Sequence, residues 1–194
     1  MIAYKGFNKD LRSTYGNGKD KDCNFTPGET KKAPGAKTAR EGFHCTENPF
    51  ECLAWYPLGA DNRIWKVKAS GNIDEGDDCK IACTEITLLK ELDMWELAYE
   101  GMEYIINHPR RTGWEQSRKL LQVQKDYAEA EPGGIAIARG LHPRAAGSKG
   151  SILGVLKENK HGEIVVARMM RVSADWQKLT ESGDPVSKRA GGVR

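Results

Sequence analysis

The chain has 194 residues, 39% of them hydrophobic and 29% charged, with 21 glycines, eight prolines and a net charge of +3. That length suits one large domain or two small ones, and the composition excludes collagen-like, low-complexity and wholly disordered chains. No apolar run approaches the ~20 residues of a membrane span, and Met1-Ile2-Ala3-Tyr4-Lys5-Gly6 lacks the charged-then-apolar pattern of a secretory signal, so a cytosolic protein is expected.

Residues 1–7 alternate as a strand, with Ile2, Tyr4 and Gly6 on one side and Ala3, Lys5 and Phe7 on the other. Residues 8–41 hold Gly16-Asn17-Gly18-Lys19, Pro27-Gly28 and Pro34-Gly35 and predict a long loop with turns. A second strand is expected over 41–46. Asn48-Pro49 then has the capping chemistry of a helix start. The short helix after it buries Phe50, Leu53, Ala54 and Tyr56. Arg63–Ala69 alternates with Trp65, Val67 and Ala69 opposite Ile64, Lys66 and Lys68, as a strand with one buried face does. Asp74–Asp78 reads as an acidic turn. Lys80–Leu89 reads as a further strand, with Ile81, Cys83, Glu85, Thr87 and Leu89 on one face.

Residues 93–131 read as a helical hairpin. Trp95, Ala98, Met102, Ile105 and Ile106 recur at helical spacing after Asp93. His108-Pro109 ends that helix. A second helix is expected from Thr112 to Ala130, with Trp114, Ser117, Leu120, Leu121, Gln124, Tyr127 and Ala128 inward. Residues 133–178 return to strands. Gly134–Gly140 and Ala145–Leu156 are rich in small residues suited to stacked, rung-like strands, and Asn159-Lys160-His161-Gly162 marks a hairpin turn. The tail from Glu181 to Arg194 reads as mobile. The expected fold is α+β: a mixed, largely antiparallel N-terminal part (1–92), an inserted helical hairpin (93–131), a C-terminal β part with rung-like strands (132–180) and a tail (181–194).

Five cysteines, an odd number with no Cys-x-x-Cys, read as reduced thiols. Cys23, His44, Cys45, Cys79 and Cys83 are the residue types of a zinc site, but the spacing is poor. Neighbours His44 and Cys45 point opposite ways on a strand. No metal is expected.

Charge is segregated along the chain. Residues 1–40 carry nine Lys/Arg against four Asp/Glu, residues 71–103 two against ten, residues 104–125 five against one, and residues 133–178 eight against three. The blocks can neutralise each other within the fold. The basic ones also leave open nucleic acid or an anionic protein–RNA surface as a partner.

Three pieces together resemble a family of uncharacterised phage and prophage proteins. They are Tyr4-Lys5-Gly6-Phe7, then Gly42-Phe43-His44-Cys45-Thr46-Glu47-Asn48-Pro49 with Tyr56, then Ala136-Ile137-Ala138-Arg139-Gly140 with Ala145–Leu153. The resemblance implies a phage-associated accessory protein that acts on host processes, including host defence, in the bacterial cytoplasm. Its partner would be a host protein or protein–RNA complex. An anti-CRISPR-type inhibitor is the most specific form of that expectation.

The order of the N-terminal pieces is also similar to that of ADP-ribosyltransferases. That resemblance implies Lys5, Thr46 and Glu85 as the catalytic set and NAD as the cofactor. Glu85 would stabilise the charge that develops as nicotinamide leaves. Lys5 departs from the Arg or His of that family, since lysine lacks a planar, bidentate head. Without that chemistry no cofactor is expected. The remaining candidates are binding residues: Arg110, Arg111, Arg118, Lys119 and Lys125, with Arg118 and Lys125 sharing a face of the second helix. The acidic stretch Asp74–Asp78 with Glu96, Glu100 and Glu103 is their counterpart of opposite sign.

Overall fold

The computed structural model describes residues 1–13, 24–76, 79–183 and 186–187, the last two by backbone only. Cys23, the Gly16–Lys19 turn, Asp77, Asp78 and most of the tail lie outside the described residues. The chain forms two compact units, Met1–Asp93 and Met94–Arg194.

The first unit is built of β1 (Ile2–Phe7), β2 (Thr30–Lys32), β3 (Phe43–Thr46), β4 (Arg63–Glu75) and β5 (Lys80–Leu92). β1 pairs with β3 on one edge and β4 on the other, and β5 does the same, all antiparallel. The strands β1, β3, β5 and β4 therefore close into a ring. β2 extends β5 beyond β3. The alternation in β1 decides what the ring encloses. Ala3 and Phe7 enter the core with Phe43, Cys45, Trp65, Val67 and Ala69. Lys5 lies on that same side, opposite Trp65. Leu11 and Phe25 plug the interior from the long loop, the Phe25 ring 4.9 Å from Phe7 and 5.7 Å from Phe43.

β5 departs from simple alternation. Ile81 and Cys83 are in the core, but so are Ile86 and Leu88, while Leu89 is exposed. The cause lies on β4, where Ser70 pairs Glu85 and Ile73 pairs Cys83. Gly71 and Asn72 thus oppose Thr84 alone. This bulge bends the hairpin and changes which side of β5 looks inward. Gly71 sits there at φ +74°.

Asn48 caps a 3-10 turn, Pro49–Ala54, its side chain accepting from the Phe50 N–H at 3.1 Å. Phe50, Leu53 and Tyr56 are buried. Ala54 is exposed, contrary to its expected place, because the tighter turn has threefold spacing and sets the sixth residue on the outer side with Glu51.

The second unit begins with α1 (Met94–Asn107), which buries Leu97, Ala98, Met102, Tyr104 and Ile105. Trp95 and Ile106 are only half-buried. His108 ends the helix by stacking on Tyr104, ring centroids 4.2 Å apart, and Pro109 cannot continue it. The expected second helix is not there. Residues 112–130 hold β6 (Gln116–Arg118) and β7 (Leu121–Ala130), an antiparallel hairpin. Leu121, Val123, Ala128 and Ala130 are buried and Tyr127 is exposed, the twofold spacing of a strand broken once at Asp126, φ +60°.

β7 runs directly into β8 (Ile135–Ser148) and β8 into β9 (Ile152–Glu158), and both pairings are parallel. Leu121 pairs Ile135, and Ile135 pairs Ile152. The chain coils with fourteen and then seventeen residues per turn, giving the rung-like stacking that the small residues predict. β10 (Ile164–Arg171) folds back on β9. β11 (Trp176–Thr180) pairs the second half of β8, and β12 (Val186–Ser187) pairs β11. Corners at Asp126 and residues 140–143 split each rung into two layers. Ala128, Ala130, Ala136, Ala138 and Ala145 line the inside with Leu153, Val155 and Leu179. The walls approach closely at Gly147, where a Cβ would stand 3.1 Å from Leu153 and 3.2 Å from the Ala130 methyl. α1 packs against β9, where a Cβ on Gly154 would lie 2.5 Å from the Met102 sulfur.

Candidate functional site

Lys5 is the only lysine or arginine of the first unit that is buried among the described residues. Its Nζ donates to the His44 carbonyl at 2.9 Å and lies 5.4 Å from the Phe7 ring centroid. Its charge favours the thiolate form of Cys45, Cys52 and Cys83 alike. Other forces outweigh it at two of them. The hydrogen bond with Cys83 and burial push the Cys45 thiol up. Burial pushes Cys52 up to about 12. The same hydrogen bond with Cys45 holds Cys83 below the usual thiol range. The described cysteines are all unbridged.

Cys45 and Cys52 should be inert in the folded protein, because the thiolate is the nucleophile and both thiols are pushed up, and Cys83, fully buried, is out of a reagent's reach. Among the described cysteines, Cys79, half-buried just before β5, is expected to react first with iodoacetamide. Mass spectrometry of briefly labelled native protein checks this; equal labelling of Cys52 and Cys79 would refute it. Cys45 and Cys83 face the core while His44 points away, and among the described residues no three His, Cys, Asp or Glu side chains form a metal-sized group.

The Gly-Phe-His-Cys-x-x-Asn-Pro motif is accounted for by packing. A Cβ on Gly42 would stand 2.7 Å from the Gly35 carbonyl and 2.8 Å from that of Cys83. Phe43 and Cys45 enter the core. The Thr46 hydroxyl meets the backbone of Asn48, whose N–H donates to it at 3.3 Å, and Asn48 caps the turn. Tyr56 lies flat on Gly6, where an added Cβ would come within 2.9 Å of three ring-side atoms.

Thr46 is in register with Tyr4, next to Lys5, but the two side chains have different partners, and Glu85 lies apart from both. Lys5 is inside the ring and Thr46 is tied to Asn48. Glu85 pairs with Lys32 at 2.9 Å and Ser70 at 3.4 Å, and Lys32 holds its carboxyl below the ordinary range. Thr46 is in register with Lys80. Glu85 is five residues further along β5, roughly 16 Å of strand. The three do not converge on one cleft.

The five basic residues lie in the second unit, on a loop and a β-hairpin rather than on a helix. Arg110 is exposed and Arg111 half-buried, its guanidinium 5.9 Å from the Tyr104 ring. Arg118 is half-buried on β6, its Nε donating to Gln116 at 3.1 Å. Lys119 is exposed in the β6–β7 turn and Lys125 exposed on β7. Arg118 and Lys125 therefore share no helical face. An open groove of about 410 Å³ runs between Glu115, Gln116, Ser117, Val123, Gln124 and Lys125.

A residue that sequence reasoning missed fixes this region. Arg139 lies in register with Lys125, and its side chain is only 4% exposed. Its Nε donates to Glu158 at 2.6 Å and its Nη2 to the Pro109 carbonyl at 2.6 Å. Its guanidinium stacks on Trp114, 4.8 Å from the ring centroid. One arginine thus ties down both ends of the 109–114 loop that carries Arg110 and Arg111. The signal in the sequence was a lone charge ending the run Ala136-Ile137-Ala138.

Residues 1–100 match the family described as a domain of unknown function (DUF7666), and the chain belongs to that family. The match covers the first unit and the start of α1, so the basic loop and hairpin lie beyond it. No curated protein and no solved structure matches the chain. No helix among the described residues is long and apolar enough to cross a membrane.

Proposed function

We propose that this is a phage- or prophage-encoded accessory protein that works by binding a host macromolecular machine in the bacterial cytoplasm, without catalysis of its own. The phage association, and its most specific form as an inhibitor of a CRISPR effector, rest on the resemblance of the three sequence pieces. The observation that carries the binding mode is the exposure of Arg110, on the 109–114 loop pinned by Arg139, and of Lys119 and Lys125, on the β-hairpin that follows it. Pinning lowers the ordering cost of binding. The separation of Glu85 from Lys5 and Thr46 gives the transferase alternative no matching support.

Pull-down from a bacterial lysate at modest salt tests the reading. The parent should retain a stable protein or ribonucleoprotein partner. A variant with Arg110, Lys119 and Lys125 all changed to Glu should lose it while unfolding at nearly the same denaturant concentration, since exposed substitutions stay within ~0.5 kcal/mol each. The loss should be greatest at low salt, where screening of the reversed charges is weakest. Recovery of no partner, or equal recovery by the variant, would count against the proposal.

A further inference from the structure

We infer that the open edge of β10 binds an extended acidic segment of a protein partner as an added strand, and this does not rest on the loop and hairpin invoked above. The backbone selects the class of partner. Val172 donates its N–H to the Ser151 carbonyl at 2.8 Å, and its carbonyl accepts from the Gly150 N–H at 2.9 Å, so both groups face β9. Along a strand these groups alternate between the two edges. The register is unbroken from Val166 to Arg171, so the N–H and C=O of Ala167, Met169 and Arg171 point away from β9. They have no backbone partner among the described residues, and β10 is the last strand of its sheet. Such a row is a template for another strand. The bulge between Ile164 and Val166 confines it to the second half of β10.

Charge selects the occupant. Arg168 and Arg171 are exposed, and no acid lies between Ile164 and Ser173. Arg168 is held in place by its Nε, which donates to the Glu181 carbonyl at 2.9 Å. A second copy pairing edge to edge would bring the same two arginines to this short strand. Residues 188–194 of the chain itself, with Lys188, Arg189 and Arg194, have the same sign. Like charges across a strand pair are destabilising. An antiparallel segment meets Arg171, Met170, Met169 and Arg168 in that order. Met169 and Met170 are half-buried and offer adaptable apolar contact. The segment that fits therefore reads acid, apolar, apolar, acid.

Fluorescence anisotropy of the purified full chain with a labelled peptide, Thr-Thr-Glu-Val-Val-Glu-Thr-Thr, is the test. The peptide should bind, and a counterpart with Lys in place of both Glu should not. Arg171→Ala should weaken binding about two- to fivefold, the range of an exposed ion pair. In antiparallel pairing the second valine lies opposite Met169 and donates its N–H to the Met169 carbonyl, whereas the N–H of the first valine points away. N-methylation of the second valine should therefore weaken binding at least about fivefold, the worth of one hydrogen bond. N-methylation of the first should leave binding nearly unchanged, and neither change touches the fold of the protein. Absence of binding, equal binding of the lysine peptide, or equal loss from the two N-methyl groups overturns the inference. So does a dimer in sedimentation whose formation excludes the peptide, which gives the edge to a second copy. Arg110, Lys119 and Lys125 play no part in this titration, so it and the pull-down fail separately.

Discussion

Arg139→Ala is expected to destabilise the second unit by about 3–5 kcal/mol, the usual cost of removing one partner from a buried ion pair. The substitution strands the Glu158 carboxylate, which lies beside β8 with a side-chain exposure of 19%. It also leaves the Pro109 carbonyl without its donor and Trp114 without its stacked cation. Arg139→Lys should recover only part of the loss, because an ammonium cannot serve Glu158, Pro109 and the ring together from one planar head. Urea denaturation of the two variants measures both effects. A midpoint for the alanine variant within ~0.5 kcal/mol of the parent would show that the loop is held by something else. The Arg139 Nη1, buried and without a hydrogen-bond partner, makes the network imperfect but does not change the sign.

Gly6→Ala should cost the first unit about 3 kcal/mol, at the upper end for overpacking. The added methyl would collide with Tyr56 Cδ2 and stand 2.6 Å from Cγ and 2.9 Å from Cβ. Tyr56 is buried, so the ring has nowhere to swing, and β1 is held on both edges. A double-mutant cycle isolates the contact. In a Tyr56→Ala background the cost of Gly6→Ala should fall below about 1 kcal/mol, the difference being the coupling expected of residues in contact. If the cost is the same in both backgrounds, the glycine serves the backbone and not the ring.

These two positions also mark how far the sequence could be read. Alternation found β1, β3, β4 and β5, and placed Lys5 on the side of Ala3 and Phe7. That side proved to be the core, so a lysine inside a closed ring was legible as a face but not as a burial. Asn48-Pro49 located the capped turn because capping depends on adjacent residues only. Residues 112–130 were misread for a physical reason. Gln122, Gln124, Lys125, Ala128, Glu129 and Ala130 are good helix formers, and the αL residue Asp126 breaks the twofold spacing midway. Pairing with β6 and β8 outweighed local preference there, and no window of the sequence displays that pairing. The basic residues were named from composition, which carries over whatever the secondary structure. Their grouping was not, since Lys125 and Arg139 meet only through the parallel ladder.

Asp126 alone turns the corner of β7, whereas residues 140–143 turn the corner of β8, and the ladder resumes in step on the far side, Lys125 with Arg139 and Tyr127 with Arg144. Length at that corner is uncoupled from the register of the walls. Leu141 and His142 already project there into solvent, and each doubling of such a loop adds only about 0.6 kcal/mol of closure entropy. The corner is therefore a place where the chain can gain or lose residues during divergence, or accept a grafted epitope, while the alanine-lined interior keeps its fit.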